Sequence, residues 1–247
     1  MRQYHFVVHR DGPALWPEHK PLAEVLKLRD TTPELTWEGT YQGNPTPAGG
    51  YIFRREWWSG QNRYDVGARL QVIGRFQSWD TAEETNETSA YTACVTGDIL
   101  DDYRLVVRDV YRERLTFDVL PATMLSQARM QQGDNLLRGI VIEDKSSGKS
   151  AHQTLRATSP EWLRELLSAY RPVGSKEARA GAAAVWCRNG MVLLPQPGPE
   201  AVWLMDFEDE LFNFPQGRFA DQVDAFSQLI LYVENYLAEG WRARGGG

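Results

Sequence analysis

Residues 136–142 form a run that is apolar apart from Arg138 and ends in Glu143-Asp144. Such a run has the length of a strand. Continuous apolarity, rather than alternation, suits a strand covered on both faces, because a one-sided strand would carry polar residues at every second position. Covering both faces of a sheet takes helices, so this run directs the chain towards a layered α/β arrangement. Upstream, Leu70, Val72, Phe76 and Asp80 share parity along residues 69–80, which reads as a strand ending in an acid. Residues 91–99 and 103–111 read as two further strands around the Asp101-Asp102 turn, making an antiparallel meander.

The rest of the chain reads as follows. A short helix is expected over 21–29, and helical spacing marks 117–132, where Leu120, Met124, Leu125 and Ala128 recur and Gly133-Asp134 stops it. Helices are also expected over 149–156, over 159–170 with Pro160 at its start, and over 204–212. Residues 171–184 read as a basic, small-residue loop. Residues 185–188 and 191–194 read as strands around Asn189-Gly190. The last helix carries Phe219, Val223, Phe226, Ile230, Val233 and Leu237 on one face. Prolines at 13, 17, 21, 33, 45 and 47 break up residues 1–66, which divides the chain into an irregular arm (1–66) and one α/β domain (67–247).

Carboxylates supply the chemistry. Asp80 and Glu143 close two strands, and active sites of open α/β sheets gather at the carboxyl ends of strands. Asp221 and Asp224 lie three residues apart and so share one side of a first helical turn. At a helix start an acid also serves as a cap or dipole partner, and that reading competes for both. Three converging carboxylates from Asp80, Glu143 and Asp221 would suit magnesium or manganese. Two such ions, roughly 4 Å apart, activate water and stabilise a leaving oxygen in phosphodiester cleavage. Asp224 and Asp144 are reserve ligands, although strand neighbours point to opposite faces and only one of Glu143 and Asp144 is expected to face the ions. Lys145, Lys176 and Arg179 are candidate contacts to a phosphate backbone, against the ordinary alternative of a solvated charged face.

Other classes are excluded on composition and spacing. Net charge is −6, which counts against nonspecific coating of nucleic acid but not against a local basic groove. Cys94 and Cys187 are far apart, lack CxxC partners and read as buried thiols of a reducing compartment. No apolar run is of membrane-spanning length and no signal peptide opens the chain, so a soluble protein that is not secreted is expected. Ser147-Gly148-Lys149-Ser150 looks like the tail of a phosphate loop. The position that needs glycine is Glu143, whose charge would repel phosphate, so no nucleotide is expected there.

Five segments in register resemble the nuclease domain of the large terminase subunit of tailed bacteriophages and their prophage relatives. Leu15-Trp16-Pro17-Glu18 and the stretch from Trp37 to Pro45 resemble the exit from that family's ATPase domain. The segment from Phe76 to Ala82 resembles the first catalytic strand, and that from Asp109 to Leu115 the third strand. The segment from Ile142 to Gly148 resembles the second acidic motif, and Phe214-Pro215-Gln216-Gly217 followed by Asp221-Gln222-Val223-Asp224-Ala225 resembles the third. The resemblance implies a ribonuclease-H-like fold. It also implies divalent-metal cleavage of concatemeric double-stranded DNA during genome packaging, with Asp80, Glu143 and Asp221 as ligands. The implied partners are a terminase ATPase domain or subunit, the small terminase subunit and the portal. No Walker motif is present, so translocation would need that ATPase. Two positions depart from the family pattern: Ala90 and Ala220 stand where acids are usual. Both remove charge from the site, which keeps open a DNA-guiding or portal-docking role. A resolvase is a third reading within the same fold.

Overall fold

The structure is a computed structural model that describes residues 19–33, 36–37, 52–82, 91–133 and 135–243. Residues 15–18, most of the segment from Trp37 to Pro45, Ala90 and residues 244–247 lie outside the described residues. In chain order the elements are α1 (Leu22–Thr31), β1 (Arg63–Tyr64), β2 (Val72–Asp80), β3 (Thr92–Leu100), β4 (Leu105–Glu113), α2 (Leu120–Gln131), β5 (Leu137–Glu143), α3 (Ser146–Thr158), α4 (Glu161–Leu166), β6 (Leu167–Tyr170), α5 (Lys176–Arg188), β7 (Val192–Pro195), α6 (Leu204–Asn213) and α7 (Asp221–Ala243).

The strands make one seven-stranded mixed sheet in the order β1-β7-β4-β3-β2-β5-β6. β2, β3 and β4 are the expected antiparallel meander. β5 runs parallel to β2, with Trp79 opposite Ile142. One step further along each strand, Asp80 and Glu143 end level with one another. β5 lies between β2 and β6 and is buried at Leu137 and from Gly139 to Ile142, the two-sided burial its composition demands.

Alternation along the strands builds two cores. On one face Trp79, Cys94, Ile140 and Ile142 pack with Met124, Leu155 and Leu163 from α2, α3 and α4. On the other, Phe76, Val95 and Val107 pack against Val223, Phe226, Leu229, Ile230 and Val233 of α7, all five fully buried. The close approach of α7 depends on Gly97. A Cβ there would come within 2.7 Å of Leu105 and 2.9 Å of Leu229, so any side chain would force those two leucines out of their present packing. Ile52, Phe53 and Trp58, from the arm, join this second core, and Trp58 donates its indole N–H to the Val192 carbonyl at 3.0 Å. Cys94 and Cys187 are buried free thiols, and burial pushes both thiol pKa values up.

Four local expectations differ from the structure. Residues 176–188, expected as a loop followed by a strand, are the helix α5. Ser175 caps it by accepting the Ala178 N–H at 3.2 Å, and Ala180, Ala183, Ala184 and Cys187 form its buried face. Alanine is the strongest helix former, and small side chains let α5 lie close to α7; the same composition also suits a loop. Residues 167–170, expected as the end of a helix, form β6, because the edge of β5 accepts Leu167–Tyr170 in parallel register. α3 begins at Ser146 rather than at residue 149. β7 follows the helix α5 and a turn at Gly190, whose φ of +73° suits glycine, rather than forming a hairpin.

Candidate active site

Asp80 and Glu143 come together because β2 and β5 are parallel neighbours that end at the same level. Their carboxyl groups are hydrogen-bonded to each other. Burial, with the charges of Asp224 and Glu143, pushes the Asp80 pKa well above the usual carboxylate range. Burial acts against the Glu143 charge as well, but hydrogen bonds from Lys145 and Asp80 outweigh it and hold Glu143 low. Of the two, Asp80 is therefore the carboxyl that holds a proton more readily. Lys145 Nζ reaches Glu143 Oε1 at 2.8 Å from a half-exposed stem.

The chain behind this pair is packed tightly. Gly148, in the first turn of α3, sits so close that a Cβ would collide with the Glu143 carbonyl. The glycine of the supposed phosphate loop thus serves to seat a helix beneath a carboxylate. Ser147 Oγ donates to Thr81 Oγ1 at 2.9 Å, tying α3 to the residue after Asp80. From the other face, Gln228 Nε2 donates to Ser78 Oγ at 2.9 Å and to the Trp79 carbonyl at 3.2 Å. α7 is thereby pinned to the last residues of β2.

α7 brings in Asp221 and Asp224. Its first turn is held by Glu210 of α6, whose carboxylate accepts the N–H groups of Gln222 (2.7 Å) and Val223 (3.3 Å) and the Gln222 side chain (2.8 Å). A carboxylate at a helix N-terminus satisfies donors that have no partner within the helix. Glu210 thus takes a capping role that the sequence pattern would give to Asp221 or Asp224. Asp224 is buried, and two cations from the first turn of α5 hold it. Lys176 Nζ pairs with Oδ2, and Arg179 Nη2 lies 3.2 Å from Oδ1. Burial pushes the Asp221 pKa up, opposed by the charges of Lys176 and Arg112. Burial opposes the Lys176 charge, but the bond to Asp224 and the charges of Asp224, Asp80 and Asp221 outweigh it and raise its pKa.

The structure thus gathers Asp80, Glu143, Asp221 and Asp224 around one end of the sheet. Asp144 faces elsewhere: it accepts from Arg171 Nε at 2.7 Å, the opposite-face arrangement expected of strand neighbours. Lys145 stays at the surface. Arg179 is 6% exposed and bound to Asp224 and to the Gly174 carbonyl, so its guanidinium is committed inside the protein rather than offered to a phosphate backbone. Among the described residues, no three Asp, Glu, His or Cys side chains form a ready-made metal cage. The hard oxygen donors do suit a divalent ion at Asp80 and Glu143, where two carboxylates crowd together and burial pushes the Asp80 pKa up.

Sequence reasoning missed Gln228, Glu210 and Arg112. Gln228 was legible: it stands four residues after Asp224 and seven after Asp221, on the same helical face. Arg112 lies 4.0 Å from the centre of the Tyr91 ring and 4.6 Å from that of Phe219, beside Asp221. No local pattern signals either Arg112 or Glu210.

A mixed sheet with an antiparallel meander, a parallel fourth strand and acids at neighbouring strand ends defines the ribonuclease-H-like class. Within it, the family profile described as the terminase RNaseH-like domain matches residues 77–232, more than half of the chain, and the chain belongs to that family. The large terminase of a thermophilic bacteriophage matches in one crystal form with a TM-score of 0.61 and 9% identity, over 87% of this chain and 53% of that one. A second crystal form matches with a TM-score of 0.60 and 10% identity, over 85% and 53%. The manganese-soaked, inhibitor-bound terminase nuclease domain of human cytomegalovirus matches with a TM-score of 0.43 and 12% identity, over 69% and 89%. The chain therefore spans about half the length of the phage large terminase it resembles. No curated protein matches the chain. Among the described residues, no helix is long and apolar enough to cross a membrane.

Proposed function

We propose that this chain is a divalent-metal-dependent endonuclease that cuts double-stranded, concatemeric phage DNA during genome packaging in the host cytoplasm. The observation that carries the proposal is the pairing of Asp80 and Glu143 at level ends of adjacent parallel strands, with Asp221 and Asp224 brought alongside by α7. Family membership supports the substrate class. Asp80, Glu143 and Asp221 are the proposed ligands of magnesium or manganese, with Asp224 in reserve. Bound there, the ion would supply a nucleophilic hydroxide and charge for the leaving oxygen. The residues supply the rest: Asp80 holds a proton more readily than Glu143, Lys145 offers a mobile charge beside the phosphate, and Gln228 fixes the spacing between β2 and α7. The irregular arm (1–66) would lead from a motor domain into the nuclease domain (67–247). The ATPase domain or subunit, the small terminase subunit and the portal would be its partners.

Supercoiled plasmid incubated with the protein and manganese tests the proposal. Nicking and linearisation by the natural chain, and none by Asp80→Ala, are expected; equal cutting by both sinks it. A second reading has its own observation: Asp224 is already held by Lys176 and Arg179, and Ala220 contributes no acid. A DNA-guiding or portal-docking module would bind duplex or portal and turn nothing over, and sustained cleavage eliminates it.

A further inference from the structure

The four acids of the site divide into two unlike pairs. On the α7 side, Asp221 and Asp224 carry two negative charges, and α5 places two positive charges against them. Arg179 is buried on Asp224 Oδ1. Lys176 sits on Asp224 Oδ2, and its ammonium is acted on by Asp80 and Asp221 as well. On the strand side, Lys145 pairs with Glu143 from a half-exposed stem, while the charges of Lys176 and Arg179 act on Asp80 and Glu143 from the α5 side. A second divalent ion placed among Asp80, Asp221 and Asp224 would have to occupy the ground that the Lys176 ammonium already holds. Two positive centres within a few ångströms repel strongly in a site with a low effective dielectric constant. The Lys176 side chain is half-exposed, as that of Lys145 is, but it starts in the first turn of a helix capped by Ser175, and its partner Asp224 is buried and fixed by Arg179.

We propose that Lys176 takes the place of the second metal ion, so that the site binds one divalent ion, at Asp80 and Glu143, with the Lys176 ammonium as the second positive centre beside the scissile phosphate. This rests on the metal-dependent reading above and specifies its stoichiometry. Ala220 fits the arrangement. With a single acid at the start of α7 in place of an adjacent pair, the negative charge on that side equals what Lys176 and Arg179 supply, and a second ion has no surplus charge to attract it.

Calorimetric titration with manganese, checked by electron paramagnetic resonance of the free ion, gives the number of ions bound. One ion per natural chain and two per Lys176→Met chain are expected, with the added ion lost again in Lys176→Met/Asp224→Ala. Two ions in the natural chain overturn the proposal, a result that does not depend on the variants folding. One ion in a folded Lys176→Met chain overturns it as well. No manganese bound by the natural chain overturns it together with the metal-dependent reading, and that outcome differs visibly from a count of two.

Discussion

The strand half and the helix half of the site carry the same number of carboxylates and treat them differently. Asp80 and Glu143 stand at the ends of β2 and β5, where burial and crowded carboxylates push the Asp80 pKa up while Lys145 helps hold that of Glu143 low. On α7, Asp224 is ion-paired with Lys176 and Arg179, and the charges of Lys176 and Arg112 act on Asp221. In the one-ion proposal the first half holds the divalent ion, and Lys176 and Arg179 supply the positive charge beside the second. Acids alone therefore do not define a metal site: the position of the nearest cations decides which acids remain to be satisfied.

The largest effect that would break this comparison is on cleavage. Asp80→Ala removes one of the two carboxylates proposed to hold the ion, and the manganese-dependent nicking rate should fall by more than about a hundredfold, the scale seen when a group aimed at developing charge is lost. Retained cleavage would show that the helix half holds the working ion.

Stability separates the halves next. Asp224→Ala strands the Arg179 guanidinium in the interior and should cost about 3 kcal/mol in urea unfolding, as expected when one partner of a buried pair is removed. Glu143→Gln keeps an oxygen that can accept from Asp80, loses the ion pair with half-exposed Lys145, and should cost less than about 1 kcal/mol. Equal losses would erase the distinction.

A smaller effect depends on pH. The folded Asp80 carboxyl binds its proton more tightly than in the unfolded chain. Its contribution to stability is thus lost as pH rises from the ordinary carboxylate range through the raised folded value. In metal-free protein, Asp80→Asn should melt higher than the natural chain at pH 8 and no higher at pH 4, each tenfold difference in proton affinity being worth about 1.4 kcal/mol. A difference unchanged with pH would contradict the raised Asp80 pKa. Smallest of all, Lys145→Ala removes the only cation that contacts Glu143 from its own strand end. Manganese affinity by calorimetry should rise by no more than about fivefold, the equivalent of about 1 kcal/mol for an exposed pair; weaker binding would assign Lys145 a supporting role instead.

Much of this architecture is legible in the order of residues. The meander, the two-sided strand β5, the apolar face of α7 and the strand-end placement of Asp80 and Glu143 all follow from periodicity, which acts over neighbouring residues. The opposite orientations of Glu143 and Asp144 follow from strand geometry in the same way. The helix α5 escapes such a reading because small residues suit both a loop and a helix packed closely against another, and only the neighbour α7 distinguishes them. β6 escapes it because a strand at a sheet edge depends on the partner that accepts it.

The sequence by itself therefore determined the layered sheet, its buried strands and the acids at their ends, since side-chain alternation and charge are local properties. Only the tertiary structure decided which acids are already paired. Lys176 and Arg179 meet Asp224 from a separate helix, Glu210 caps α7 from α6, and Gln228 ties α7 to β2 across 149 positions of chain. These are contacts between distant segments, created when the two layers pack on the sheet; helical spacing puts Gln228 on the face of Asp221 and Asp224, but no local pattern names its partners in β2.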